Sequence, residues 1–330
     1  MTTKTLTALV TGSNSGLGFE AAAQLAEAGW GRVILATRTL AKAETARQQL
    51  VERTGRDPFE PLVVDVGDNA VVTDAVSALG DRGGRIDLLL LNAGLVSGDE
   101  IVRNGAGIER TVAASLIGHH VLTMGLLDAG LLADTARVVI AGSEAARGDV
   151  PMMGISDVPA FAAEHAGGDR VQAIATIARA EAPYAYKPMP HYANTKVLVA
   201  WWAAALGRRL PSGMGVFAVS PGSAPATGAA RHQGWFMRSV MSPILGSWLG
   251  RSLGMGATTG DAARRYLDAF DYGPERSGGF FASRPGKMVG AVVRQEQPHV
   301  LDEASQEAAW QAVVALSGAD LPRRTLTAVS

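Results

Sequence analysis

Near the start of the chain, a β-forming apolar run over residues 5–10 meets Thr11-Gly12-Ser13-Asn14-Ser15-Gly16-Leu17-Gly18 and then a helical stretch over 17–28. This strand, glycine turn and helix junction narrows the possible folds more than any other feature of the sequence. Glycines allow a tight turn and let the backbone approach a bound group closely. The helix that follows presents unpaired N–H groups and the positive end of its dipole to an anion. Such a junction belongs to sheets whose ligands sit beyond the C-terminal ends of parallel strands.

The rest of the sequence continues the alternation. Residues 32–36, 61–64, 86–91, 137–141 and 216–219 read as strands, and 41–53 and 108–132 as helices. Unbroken apolar runs imply strands buried on both faces, and helical connections imply parallel pairing. Together they predict an α/β fold of Rossmann type, a doubly wound parallel sheet with helices on both sides. No Pro/Gly/Ser-rich linker divides the chain, so one domain over residues 1–330 is expected. Residues 144–191 and 223–272 break the alternation and are expected to surround a substrate site.

Composition excludes several classes of function. The net charge of −1 gives no reason to expect nucleic acid or an anionic membrane as partner. With no cysteine in 330 residues, disulfides, thiolate metal sites and cysteine nucleophiles are ruled out. There is no charged leader followed by an apolar core, and no apolar stretch long enough to span a bilayer. A cytoplasmic protein acting on a small molecule is the expectation. His119, His120 and His191 form no metal-ligand set, and His191, next to Tyr192, is placed at the edge of a pocket.

Two further patterns carry chemistry. The second strand ends in Ala36-Thr37-Arg38, with no acid to accept hydrogen bonds from an adenine ribose. The Arg38 fork suits a 2′-phosphate, with Ser13 and Asn14 nearby, which favours NADP(H) over NAD(H). Tyr192 and Lys196 stand four apart, so on a helix they share one face. An ammonium beside the phenol is expected to lower its pKa from about 10 and suit it to proton transfer.

The Gly-x-x-x-Gly-x-Gly loop after Thr11, followed by Tyr-x-x-x-Lys, resembles the short-chain dehydrogenase/reductase family. The similarity extends to a retinol-dehydrogenase-like, protochlorophyllide-reductase-like and carbonyl-reductase-like branch, with residues 277–281 and 302–316 resembling the last strand and helix of the first two. The resemblance implies cofactor contacts at Gly12, Ser13, Asn14, Ser15, Gly16, Leu17, Gly18 and Arg38, and at Asp65 and Val66 near the adenine. It also implies contacts at Asn92, Ala93 and Gly94, at Tyr192 and Lys196, and at Pro221, Gly222 and Thr227. Asn92 equally suits a purely structural turn. Ser143, at the end of its strand, takes the place of the family serine that orients the substrate oxygen. The implied activity is hydride transfer between NADP(H) and a carbonyl or alcohol, as a ketone or aldehyde reductase or an alcohol dehydrogenase. Tyr192 would be the general acid/base, tuned by Lys196.

Three departures stand out. Ser115 replaces the asparagine that holds a water in the family's proton relay, which leaves Ser115 as the catalytic candidate there. Only one serine is present where the family usually has two, and the cysteine expected of pigment reductases is absent. Ser115 also keeps open a different reading, a catalytically weak NADP(H)-binding sensor or scaffold. The helical run over 171–180 resembles an insertion that covers the dimer face in monomeric carbonyl reductases, so monomer and homodimer both remain open. Met152, Met153, Phe161, Tyr184 and Tyr186 in the first insertion, with Trp235, Phe236, Met237 and Trp248 in the second, point to a bulky apolar substrate.

Overall fold

A computed structural model of the chain describes residues 5–223 and 257–322. The first strand, β1 (Thr7–Thr11), is buried along its whole length, as its apolar centre requires. The glycine turn leads into α1 (Gly16–Glu27). β2 (Arg32–Thr37) then gives way to α2 (Leu40–Thr54), which starts at a Thr39 cap and stops at Gly55 in the left-handed region (φ 65°). β3 (Phe59–Val63) is followed by α3 (Asn69–Arg82), capped by Asp68, a connection that the apolar pattern leaves unassigned. β4 (Ile86–Leu91) matches the predicted apolar run, and all six residues are buried.

The helix expected over 108–132 takes a different form. A short turn, α4 (Arg110–Val112), passes into a π-helical turn (Ala113–Ile117) and then α5 (Gly118–Asp128). The next strand, β5 (Leu132–Ala141), begins where that helix was expected to end. Apolar periodicity does not distinguish the edge of a buried helix from a buried strand, which accounts for the overrun. The first insertion holds α6 (Val158–His165) and α7 (Arg170–Arg179), ahead of the long α8 (Pro188–Gly207). β6 (Gly215–Val219) precedes α9 (Thr259–Asp268), β7 (Phe280–Ser283), β8 (Val292–Arg294), α10 (Pro298–Leu301) and α11 (Glu303–Ser317).

The eight strands form one sheet in the order β3-β2-β1-β4-β5-β6-β7-β8. All pairs are parallel except β7 with β8, which is antiparallel and modifies the expected all-parallel sheet. Apolar cores cover both faces. One joins the sheet to α3, α5, α7, α8 and α11, and the other joins it to α1, α2 and α9. The order reverses between β1 and β4, so a crevice opens beyond their C-terminal ends. No described helix is long and apolar enough to cross a membrane.

Candidate active site

The C-terminal ends of β1 to β6 border a cleft of about 720 Å³. Beyond β1 it is lined by Gly12, Asn14, Ser15, Gly16 and Leu17, and beyond β2 by Arg38. Asp65 and Val66 line it beyond β3, and Asn92, Ala93 and Gly94 beyond β4. Ser143 closes the β5 end, Pro221 and Gly222 the β6 end, and Tyr192 and Lys196 enter from α8. Ser13, Gly18 and Ser115 stand behind this wall, outside the lining. Thr227 lies outside the described residues, as do Trp235, Phe236, Met237 and Trp248.

The glycine turn has the shape of a cradle for a phosphate pair. Gly12 adopts φ +67°, and a Cβ on Gly18 would lie 2.5 Å from both Gly12 O and Asn92 Nδ2. Side chains at these positions would push the loop off the strand ends. Ser15 caps α1 without a side-chain hydrogen bond, so the N–H groups of its first turn face the cleft. These features fit a dinucleotide pyrophosphate. Asn92 braces the loop, its Nδ2 donating to Thr11 O at 2.9 Å, while Thr11 Oγ1 accepts from Ala93 N at 2.9 Å. Asn92 thus has the structural part left open for it and also lines the cleft.

At the other end of the cleft, Ser143 stands beside Tyr192, and its Oγ accepts from Ala145 N at 3.2 Å. Lys196 Nζ donates to Ala141 O at 2.8 Å and lies 5.6 Å from the centre of the Tyr192 ring. Burial draws the lysine from 10.5 down to about 8. Burial likewise pushes the Tyr192 phenol above the ordinary tyrosine range, against the opposing pull of Ser143. The expected lowering by lysine is not seen: burial is the largest influence on the phenol, and the lysine's proton is turned to a carbonyl.

Several expected contributors are placed elsewhere. The Ser115 hydroxyl, in the π-helical turn, is buried without a hydrogen-bond partner and does not reach Lys196 directly. His191 turns away from the cleft, and its Nε2 meets Glu109 Oε2 at 2.9 Å with both side chains buried. His119 approaches Thr11 Oγ1 at 3.0 Å, and His120 accepts from Trp202 Nε1 at 3.0 Å, so both act in packing. Among the described residues, no group of three or more potential metal ligands occurs. Met152, Met153, Phe161, Tyr184 and Tyr186 do not line the cleft bounded by the described residues.

Other residues at the site carry no sequence motif. Glu144, directly after Ser143, accepts from Ser220 Oγ, from Ser283 N at 3.2 Å and from Arg265 Nη1 at 3.4 Å. This buried cluster ties the ends of β5, β6 and β7 together behind Ser143. Tyr266, beside Arg265 on α9, lines the cleft near Tyr192, and Lys42, Arg103 and Arg110 line its opposite half. The Nε of Arg110 is buried without an acceptor.

Known proteins share these features in sequence and in fold. Residues 6–156 match the model of the short chain dehydrogenase family. The short chain dehydrogenase sol3 of Alternaria solani is 29% identical over 226 residues, covering 66% of this chain and 71% of that protein. In two further fungal short-chain dehydrogenases the match spans only 30% and 34% of their own length, about a third of each. Among solved structures, a protein of Mycobacterium Paratuberculosis superposes with a TM-score of 0.67 at 22% identity, covering 96% of this chain and 95% of that one. A short chain dehydrogenase of Burkholderia cenocepacia J2315 in complex with NADP gives a TM-score of 0.56 at 22% identity, over 84% of this chain and 95% of that one. The glycine loop and the strand order agree with this likeness, and over residues 6–156 the chain is similar to the short-chain dehydrogenase family.

Proposed function

We propose that this chain is an NADP(H)-dependent oxidoreductase that interconverts a ketone or aldehyde and its alcohol. The observation that carries the reading is that Ser143, Tyr192 and Lys196 meet in one cleft with the glycine loop, Lys196 Nζ lying 5.6 Å from the centre of the Tyr192 ring. A nicotinamide dinucleotide bound along the cleft supplies or accepts the hydride. In reduction, the Tyr192 hydroxyl gives its proton to the carbonyl oxygen as negative charge develops there. The Ser143 hydroxyl donates to that oxygen and holds it in place. Lys196, as an ammonium, favours the phenolate that remains, and a proton from solvent restores the phenol.

Arg38 is exposed at the rim of the cleft, with Lys42 one helical turn farther along. Two cations there suit a 2′-phosphate and support NADP(H). A bulky apolar substrate remains part of the proposal through the composition of residues 223–272.

Tyr192→Phe tests the mechanism. It is expected to lower turnover at least about a hundredfold while NADPH, titrated by fluorescence, binds as in the wild type. Turnover close to wild type would sink the assignment. Wild-type binding of NADPH with no oxidation across a panel of ketones and quinones would favour the sensor reading.

A further inference from the structure

Tyr192 sits close to the start of its own helix. The N-cap of α8, Lys187, makes no side-chain hydrogen bond to the first turn, and Pro188 and Pro190 in that turn carry no N–H. His191 N donates to Lys187 O at 2.9 Å as the first rung of the helix, so Tyr192 stands one residue beyond it. Backbone bonding alone leaves such a turn free to fray.

Side chains on both flanks of Tyr192 supply what the cap does not. On the residue before it, His191 Nε2 meets Glu109 Oε2 at 2.9 Å, with both side chains at 1% exposure or less. Glu109 is itself fixed. Its N donates to Ala178 O at 3.0 Å, and its carboxylate accepts from Ser97 Oγ at 2.5 Å and from Thr111 N at 2.6 Å. Two residues after Tyr192, Asn194 accepts from Ser156 N at 2.7 Å and donates through Nδ2 to the Tyr184 hydroxyl at 3.0 Å. The same hydroxyl meets His191 Nδ1 at 3.3 Å, which joins the two flanks. Ser97 follows the Asn92-Ala93-Gly94 turn and Thr111 lies in α4, so this chain of bonds refers the first turns of α8 to the side of the cleft beyond β4.

Proton transfer needs that reference. The hydroxyl must stay within about 2.6–3.2 Å of the reacting oxygen, and a misplacement of about 1 Å costs up to about a hundredfold in rate. His191 does not line the cleft, so it acts only through its neighbour.

We propose that His191, held by Glu109, is a positioning residue for the proton transfer. It fixes the first turns of α8 and so the height of the Tyr192 hydroxyl in the cleft. The inference rests on the reading of Tyr192 as general acid/base. A link that served stability alone would change how many molecules fold, and leave the turnover of each folded one as it was.

Reduction of acetophenone and menadione by NADPH, compared in wild type, His191→Leu and His191→Gln, tests it. Rates are expressed per NADPH-binding site, titrated by fluorescence, so that unfolded molecules are not counted. His191→Leu is expected to lower kcat per site about ten- to a hundredfold, with KM and the NADPH dissociation constant unchanged. Its solvent deuterium isotope effect on kcat should rise, because proton transfer across a longer gap becomes the slow step. His191→Gln, whose amide can donate to Glu109, should recover most of the rate. His191→Asn, too short to reach the carboxylate, should match the leucine variant, and it repeats the test where leucine folds poorly. Fewer binding sites with kcat per site unchanged would assign the link to stability alone and overturn the proposal. An equal loss in His191→Gln would trace the effect to the imidazole rather than to its bond with Glu109, and would overturn it too. Tyr192→Phe, run alongside, separates the two readings. Wild-type turnover in Tyr192→Phe, or a wild type that binds NADPH and reduces neither probe, removes the general acid/base reading as well. An inactive Tyr192→Phe beside an unaffected His191→Leu removes only the positioning role.

Discussion

Lys196 titrates near 8 in the folded protein and near 10.5 when exposed. Between these values the folded chain binds fewer protons than the unfolded one. Stability therefore rises with pH across that window, and the buried ammonium is a cost below it. The same charge supports Tyr192, so activity and stability pull in opposite directions above pH 8. The rate constant kcat/KM is expected to bend downward above about pH 8, and in Lys196→Arg, whose guanidinium stays charged, residual activity should show no such bend. An identical bend in both proteins would place the titration elsewhere. Arg38→Asp is expected to turn cofactor preference from NADPH toward NADH, read as the ratio of the two dissociation constants; an unchanged ratio would remove Arg38 from the 2′-phosphate. Tyr192, Lys196 and Arg38 are legible in sequence because the chemistry requires those residue types at short, fixed offsets from a strand or from each other. Glu144 and Arg265 are not, because they meet across 121 positions and no local pattern records the pairing.

At the scale of elements, the catalytic helix is anchored through Glu109 and His191. Burial raises the Glu109 carboxyl, but His191, Ser97 and Thr111 together outweigh it and hold the acid below its usual 4.5. Its contribution to stability is therefore present above 4.5 and is lost as pH falls through the depressed value. Removing one partner strands the other in a dry interior. Glu109→Ala is expected to cost about 3 kcal/mol at neutral pH in urea unfolding. It should also lose part of the wild type's acid sensitivity. A cost below about 1 kcal/mol would show the pair to be dispensable. Most strands and the helices beside them were readable from apolar runs and their breaks. The π-helical turn was not, since a change in hydrogen-bond register leaves the pattern of apolar residues almost intact. That turn also sets Ser115 behind the cleft wall, so matching Ser115 to a family position did not determine what its hydroxyl reaches.

Across the whole molecule, α8 is among the more enclosed helices, with 14 of its 20 residues buried. It is buried on nearly every side, against β6 below and α7 and α11 around it. Trp201 Nε1 donates to His299 O at 2.7 Å, and His120 Nε2 bonds Ala319 O at 2.9 Å, so the C-terminal segment closes over the same region. A second copy would have little of α8 left to pack against. The expected outcome in sedimentation is one species near 34.2 kDa, and a species of twice that mass would show association through another face. That 144–191 is an insertion was legible from its extra length, whereas the absence of its residues from the lining of the cleft was not.

The strand order has a consequence for how the chain acquires its shape. β1 pairs with β2 almost at once, but its other edge waits for β4, with Thr7 N meeting Asp87 across 80 positions. During synthesis at about 5–20 residues per second, that edge stays open for roughly 4–16 s. It is apolar and unpaired throughout, the state in which a strand most readily joins the wrong neighbour. Yield on expression should therefore depend on how fast residues 12–86 emerge. Slowing translation there would lengthen the risk without changing a single contact in the finished protein.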